Sequence, residues 1–182
     1  MDYAKMRAIA DRLAEHAPPQ VRAIEISGEQ IIVTTSPSNP HELVVRRLGR
    51  QLDAQLELTM PGVIAHGGAD LEDSAAGIAR RPDLMVFPEE VLESGDAVHP
   101  RDVLAVVEVV SKSNPENDYM GKVRDYAVMG IAWYLIVDPR QGTGEILSNP
   151  QGGKYRTCTS YSFGETIDVA GWAVDTSVFP TY

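Results

Sequence analysis

The run Val103-Leu104-Ala105-Val106-Val107-Glu108-Val109-Val110 is apolar and rich in β-branched residues, with one glutamate set near its end. That pattern reads as a buried strand, and strands covered on both faces belong to layered α/β folds. Glu108 is the least surface-like acid in the chain. A carboxylate buried without a partner costs several kcal/mol or more, so it has to meet a metal, a cation or a hydrogen-bond donor.

A second apolar run, Leu84-Met85-Val86-Phe87, opens directly after Arg81-Pro82-Asp83. Asp83 therefore stands at the start of a strand that can lie beside Glu108. Two carboxylates on neighbouring strands suit Mg²⁺, which takes oxygen ligands and keeps several waters. A cation follows at Lys122, on a segment with helix punctuation. Ser113-Asn114-Pro115-Glu116 has the spacing of a capping box with proline inside, and Gly130 fits the position just past the helix end. Helical spacing puts Tyr119, Lys122 and Tyr126 on one face.

These residues carry a resemblance. Asp83, Glu108 and Lys122 look like the PD-(D/E)XK nuclease signature in the variant form of the Uma-type family of restriction endonucleases. The likeness rests on Arg81-Pro82-Asp83, on Val107-Glu108-Val109-Val110-Ser111, on Asp118 to Tyr126, and on Gly130 to Pro139. It extends upstream to Glu25-Ile26-Ser27-Gly28-Glu29 and Ser36-Pro37-Ser38-Asn39-Pro40-His41. The parent signature would put lysine two residues after Glu108, where Val110 stands instead. Lys122 fits a migrated lysine, while Lys112 is its rival, closer in sequence but set in a turn-forming Ser-Lys-Ser-Asn-Pro context.

The resemblance implies a restriction-endonuclease-like core with a central mixed sheet flanked by helices. It implies Mg²⁺, for which Mn²⁺ can substitute, held by Asp83 and Glu108, DNA as substrate, and a homodimer. Glu25 and His41 become accessory residues at the site. Without the resemblance, Glu25 would read as an edge-strand acid facing water and His41 as a surface or hydrogen-bonding histidine in the first turn of a helix. Lys122→Ala is expected to stop cleavage with fold and metal binding nearly intact.

Composition bounds the alternatives. A chain of 182 residues, 43% hydrophobic and 23% charged, is expected to form one α/β domain over residues 1–182. Its runs of apolar residues are too short for a membrane span and the N-terminus lacks a signal-peptide core, so a cytoplasmic location is expected. Cys158 is the single cysteine, which excludes an internal disulfide and a cysteine-based metal site. No Gly-x-Ser-x-Gly elbow is present to support a serine hydrolase.

The net charge of −10 opposes a polyanionic partner, because DNA binding depends on Lys and Arg neutralising phosphates. Arg46, Arg47, Arg50, Arg80 and Arg81 are the residues that could form a local basic surface. The acidic balance also keeps open a non-catalytic binding or assembly module on the same fold, with the charged trio surviving as a buried ion-pair network.

Along the chain, Asp2 to His16 has helical spacing, and Val21 to Ile26 with Glu29 to Thr35 read as a hairpin turning at Ser27-Gly28. A second helix begins near His41, with Leu43, Val44, Leu48, Leu52 and Leu56 on one face. Pro61 to His66 reads as a short strand, and Asp70, Glu72 and Asp73 are assigned to a loop. After the Lys122 helix come a strand over Trp133 to Val137 and a meander of short glycine-split strands.

Overall fold

The computed structural model describes residues 2–112 and 114–182. Its helices are α1 (Tyr3–Glu15), α2 (Asn39–Thr59) and α3 (Lys122–Val128), the last entered through a π-helical turn at Asn117–Gly121. The strands are β1 (Val21–Ser27), β2 (Gln30–Thr35), β3 (Val63–His66), β4 (Leu71–Asp73), β5 (Ile78–Arg80) and β6 (Leu84–Pro88). They continue as β7 (Ala105–Val109), β8 (Trp133–Asp138), β9 (Thr143–Gln151), β10 (Lys154–Ser162), β11 (Thr166–Val169) and β12 (Trp172–Asp175).

The six-stranded sheet has the order β10-β9-β8-β7-β6-β3. Its pairs are antiparallel except β7 with β8, which makes it mixed. A parallel pair needs a crossover, and α3 with its π turn is that crossover. This connection carries Lys122 back over the C-terminal end of β7, where Glu108 sits.

Alternation along β7 sorts its side chains onto two cores. Ala105, Val107 and Val109 join the α2 stripe of Val44, Leu48, Leu52 and Leu56 on one side. On the other, Val106 packs with Met85, Phe87, Tyr126, Met129 and Ile136 beneath α3. Glu108 shares parity with Val106, as Asp83 does with Met85 and Phe87, so both acids point to the α3 face. The ribbon of β11 and β12 covers the far side, its Val169, Trp172 and Val174 packing with the α2 core.

A second sheet has the order β2-β1-β5-β4, with Met6 and Ala10 of α1 packed on Ile26 and Ala79. Its β4–β5 hairpin is where Asp70 to Ala79 departs from the loop expected of it. Strands of three residues are too short for alternation to show, and the acids mask the buried Leu71 and Ile78. The helix beginning at Lys122 ends as expected, with Gly130 at φ 75° just beyond it. The capping-box serine, Ser113, lies outside the described residues. Among the described residues, no helix is long and apolar enough to cross a membrane.

Candidate active site

In the antiparallel register Leu84 faces Val107, so the next step along both strands sets Asp83 across from Glu108 on one face. The two acids are held by different partners. Asp83 Oδ1 accepts from Arg22 at 2.6 Å. Its Oδ2 accepts from the backbone N–H of Val109 at 2.8 Å and lies 3.2 Å from His41 Nε2. Glu108 Oε1 accepts from the Tyr126 hydroxyl at 2.5 Å, and Oε2 lies 2.8 Å from Lys122 Nζ. Lys122 also reaches Asp118 Oδ1 at 2.9 Å, so one ammonium bridges two carboxylates whose side chains are 1% and 7% exposed.

Asp118 and Lys122 form the i, i+4 pair open to a surface reading, but the pair is buried. The π turn explains why Asp118 stands there. Its extra residue rotates the preceding positions, and Tyr119, expected beside Lys122, turns away to donate to Asp138 at 3.2 Å. Lys112, the rival lysine, stands instead with its Nζ 5.2 Å from the Tyr182 ring centroid.

The accessory residues line the same cavity and neither is on the surface, although His41 does make hydrogen bonds as its alternative reading allowed. His41 is buried at the start of α2, its Nε2 also 2.9 Å from the Val109 carbonyl. With two acceptors around it, Nε2 carries the hydrogen and ties α2 to the end of β7. Glu25 is buried on β1, which is an interior strand of its sheet. Its Oε2 accepts from Arg80 at 2.8 Å and its Oε1 from the Arg81 backbone N–H at 3.0 Å.

Arg80 is fully buried and forks onto Asp125 Oδ2 from Nε and Nη2 at 3.0 and 2.6 Å. The guanidinium thus clamps α3 to β1 and β5. Gly121 makes room for this clamp, since a Cβ there would stand 2.8 Å from Asn117 Oδ1 and 3.5 Å from Arg80 Nη2. Arg81 binds Asp70 through two bonds of 2.8 and 3.0 Å. Both arginines are therefore spent on internal acids and not on a basic surface, which corrects that expectation for them. Arg46, Arg47 and Arg50 are exposed on α2 but do not line the site cavity.

Sequence reasoning missed Arg22, Arg80, Asp118 and Asp125. Arg22 is the extra residue of a β-bulge, because Val21 pairs with Thr35 and Ala23 with Thr34. A bulge re-aims a side chain, and this one turns Arg22 toward Asp83.

Burial pushes both carboxyls up, with opposite outcomes. At Asp83 the His41 hydrogen bond and the charges of His41, Lys122 and Arg22 outweigh burial and hold it well below the usual carboxylate range. At Glu108 burial prevails over Lys122, Asp83 and Asp118 add repulsion, and the carboxyl is pushed up to about 8. Lys122 is desolvated as well, but the charges of Glu108, Asp118, Glu25 and Asp83 carry it above the usual lysine range.

A divalent cation was expected between Asp83 and Glu108. Among the described residues no group of three or more His, Cys, Asp and Glu is arranged to hold a metal. The oxygens present nevertheless suit Mg²⁺, which is bound through one or two carboxylates with water completing its shell. A cavity of about 490 Å³ opens above the group, with Asp83, Glu108 and Lys122 on its floor.

A mixed sheet with a crossover helix, two acids on adjacent strands and a lysine returned over them define an α/β chain of the restriction-endonuclease-like class. The chain belongs to the Uma2 family, described as "Putative restriction endonuclease", which matches residues 10–176. Its fold is similar to the crystal structure of a putative nuclease belonging to DUF820 from Anabaena variabilis ATCC 29413. That likeness has a TM-score of 0.67 at 13% identity, covering 94% of this chain and 93% of the other. No curated protein matches the chain. Family and fold together support a nuclease.

Proposed function

We propose that the chain is a divalent-metal-dependent nuclease that hydrolyses DNA phosphodiester bonds, with Mg²⁺ as the working ion and Mn²⁺ as a substitute. The observation that carries this reading is the convergence of Asp83, Glu108 and Lys122 at one cavity floor, with Lys122 Nζ 2.8 Å from Glu108. Asp83 and Glu108 hold the cation. When bound, the cation supplies Lewis-acid charge and lowers the pKa of a coordinated water.

The chain's own groups do the rest. Arg22, His41 and the Val109 N–H fix the rotamer of Asp83, and Tyr126 fixes that of Glu108. Lys122 places a positive charge beside the phosphoryl oxygens, where negative charge grows in the transition state. Burial of these groups keeps bulk water away and strengthens each interaction.

The test is cleavage of labelled DNA with Mg²⁺ or with EDTA by wild type, Asp83→Asn and Glu108→Gln. Activity that needs the metal and falls by orders of magnitude in both variants supports the reading. Equal cleavage in EDTA and Mg²⁺ removes it.

A second reading has its own observation. All four carboxylate oxygens of Asp83 and Glu108 already have protein partners, as in an ion-pair network that holds a binding module together. That reading expects no cleavage with any metal and DNA binding indifferent to Mg²⁺.

A further inference from the structure

The acids and the lysine sit deep. The side chains of Asp83, Glu108 and Lys122 are 4%, 1% and 9% exposed, at the floor of the 490 Å³ cavity. A scissile phosphate has to come down to them. Such a volume falls in the range of small-molecule pockets and admits about one or two nucleotides. Duplex DNA is stiff over about 150 base pairs and keeps its bases stacked and paired, so it cannot send one phosphate into a pocket without opening. A single strand has no such constraint.

The charges around the cavity agree. Arg22 is committed to Asp83, Arg81 to Asp70, and Lys122 to Glu108 and Asp118. Lys112 also lines the cavity and, among the described residues, has no carboxylate partner. On a chain of net charge −10, a cavity with one cation free of carboxylates cannot itself supply the row of phosphate contacts that duplex affinity requires.

What the mouth offers instead is an aromatic face. The Tyr182 ring lines the same cavity, half-buried, with its hydroxyl donating to the Val110 carbonyl at 3.1 Å. That bond holds the ring at the end of β7, under Lys112. Lys112 Nζ stands over this ring, 5.2 Å from its centroid, so a base stacks on Tyr182 as the ammonium moves off the face to the backbone, the ring for stacking and the cation for phosphate being the pairing that single-strand binders use.

We propose that the site takes single-stranded DNA, including the unpaired ends of duplexes, with Tyr182 stacking on a base beside the scissile phosphate and Lys112 meeting the neighbouring phosphate. The position of the scissile phosphate rests on the nuclease reading. The Tyr182 and Lys112 contacts are open to a binding test that needs no cleavage.

Fluorescence anisotropy in EDTA compares a labelled oligo-dT strand with a fully paired duplex of equal length, for wild type, Tyr182→Phe and Tyr182→Leu. The single strand is expected to bind about ten-fold tighter than the duplex. Tyr182→Leu should lose about ten-fold for the strand alone, the effect of one base stack, while Tyr182→Phe keeps the ring, gives up only the hydroxyl bond that orients it, and should lose clearly less than Tyr182→Leu. Duplex binding as tight as single-strand binding overturns the proposal, as does a Tyr182→Leu protein that binds the strand like wild type.

Repeating the comparison as cleavage in Mg²⁺ separates the two claims. Tight Tyr182-dependent binding of a strand that is never cut removes the nuclease reading and leaves the single-strand site. Cutting of blunt duplex as fast as single strand keeps the nuclease and removes the single-strand site.

Discussion

Replacing Lys122 by methionine keeps most of the side-chain volume and removes the ammonium that bridges Glu108 and Asp118. Both acids are buried, and neither has another cation within ion-pair distance among the described residues. Removing one partner of a buried ion pair costs about 3–5 kcal/mol, and this ammonium serves two acids. The fold is therefore not indifferent to Lys122, which revises the expectation that its loss leaves fold and metal binding nearly intact.

The pH dependence sharpens this expectation. Glu108 is pushed up to about 8 chiefly by burial, with Lys122 opposing the rise. Without Lys122 its folded carboxyl moves higher still. A carboxyl raised on folding binds a proton in the folded state that the unfolded chain has released, so stability falls as pH climbs from about 4.3, the unfolded value, toward the folded one. Near pH 5 the variant can protonate Glu108 and escape most of the penalty. Near pH 9 it bears the penalty in full, either for the bare buried charge or for holding a proton that the unfolded chain has released.

Urea denaturation in EDTA at about pH 5 and about pH 9 reads this directly. Lys122→Met is expected to lose about 3 kcal/mol or more at the higher pH and about 1 kcal/mol or less at the lower. An equal loss at both values, or no loss at either, refutes the bridging argument.

Further expectations follow from the same geometry. Arg80→Met leaves the buried Glu25 carboxylate without its cation and Asp125 with Arg124 alone, and should cost about 3–5 kcal/mol in thermal or urea unfolding. Arg80→Lys should recover little of it, because an ammonium cannot fork onto both acids, and a variant as stable as wild type would remove the clamp. Gly121→Ala should lose about 1 kcal/mol or less, because its Cβ displaces only the Asn117 side-chain amide and meets the Arg80 guanidinium at ordinary contact distance, and a loss of several kcal/mol would show that Asn117 cannot turn aside. Mn²⁺ affinity should rise with pH from the ordinary carboxylate range to about 8 and release a proton on binding, since a ligating Glu108 must be ionised. Affinity that is flat across that window would mean that Glu108 is not a ligand.

Much of the fold was legible because its signals are local. The apolar runs at 84–87 and 103–110, the hairpin turn, read at Ser27-Gly28 and found one residue on at Gly28-Glu29, and the glycine after α3 each announce an element within a few residues. What stayed hidden depends on the third dimension. Strands of three residues leave no alternation to read, so the β4–β5 hairpin passed for a loop. The π turn changes helical phase, and its consequence was that Asp118, not Tyr119, stands beside Lys122.

The candidate site divides the same way. Asp83 and Glu108 were readable because a charge on an apolar strand needs an explanation. Arg80 and Arg22 carry no such mark, since an arginine in a polar segment looks like a surface residue until its partners, Asp125 and Asp83, arrive from elsewhere in the chain. Arg22 depends on a bulge that only strand pairing reveals.

The proposed activity depends on a divalent cation held between Asp83 and Glu108, and calorimetric titration with Mn²⁺ tests for that cation without reference to any substrate. Wild type is expected to show saturable binding that disappears in Asp83→Asn and in Glu108→Gln, with circular dichroism confirming that both variants remain folded. The same binding heat in wild type and in both folded variants would contradict the claim and leave the charged trio as a structural network.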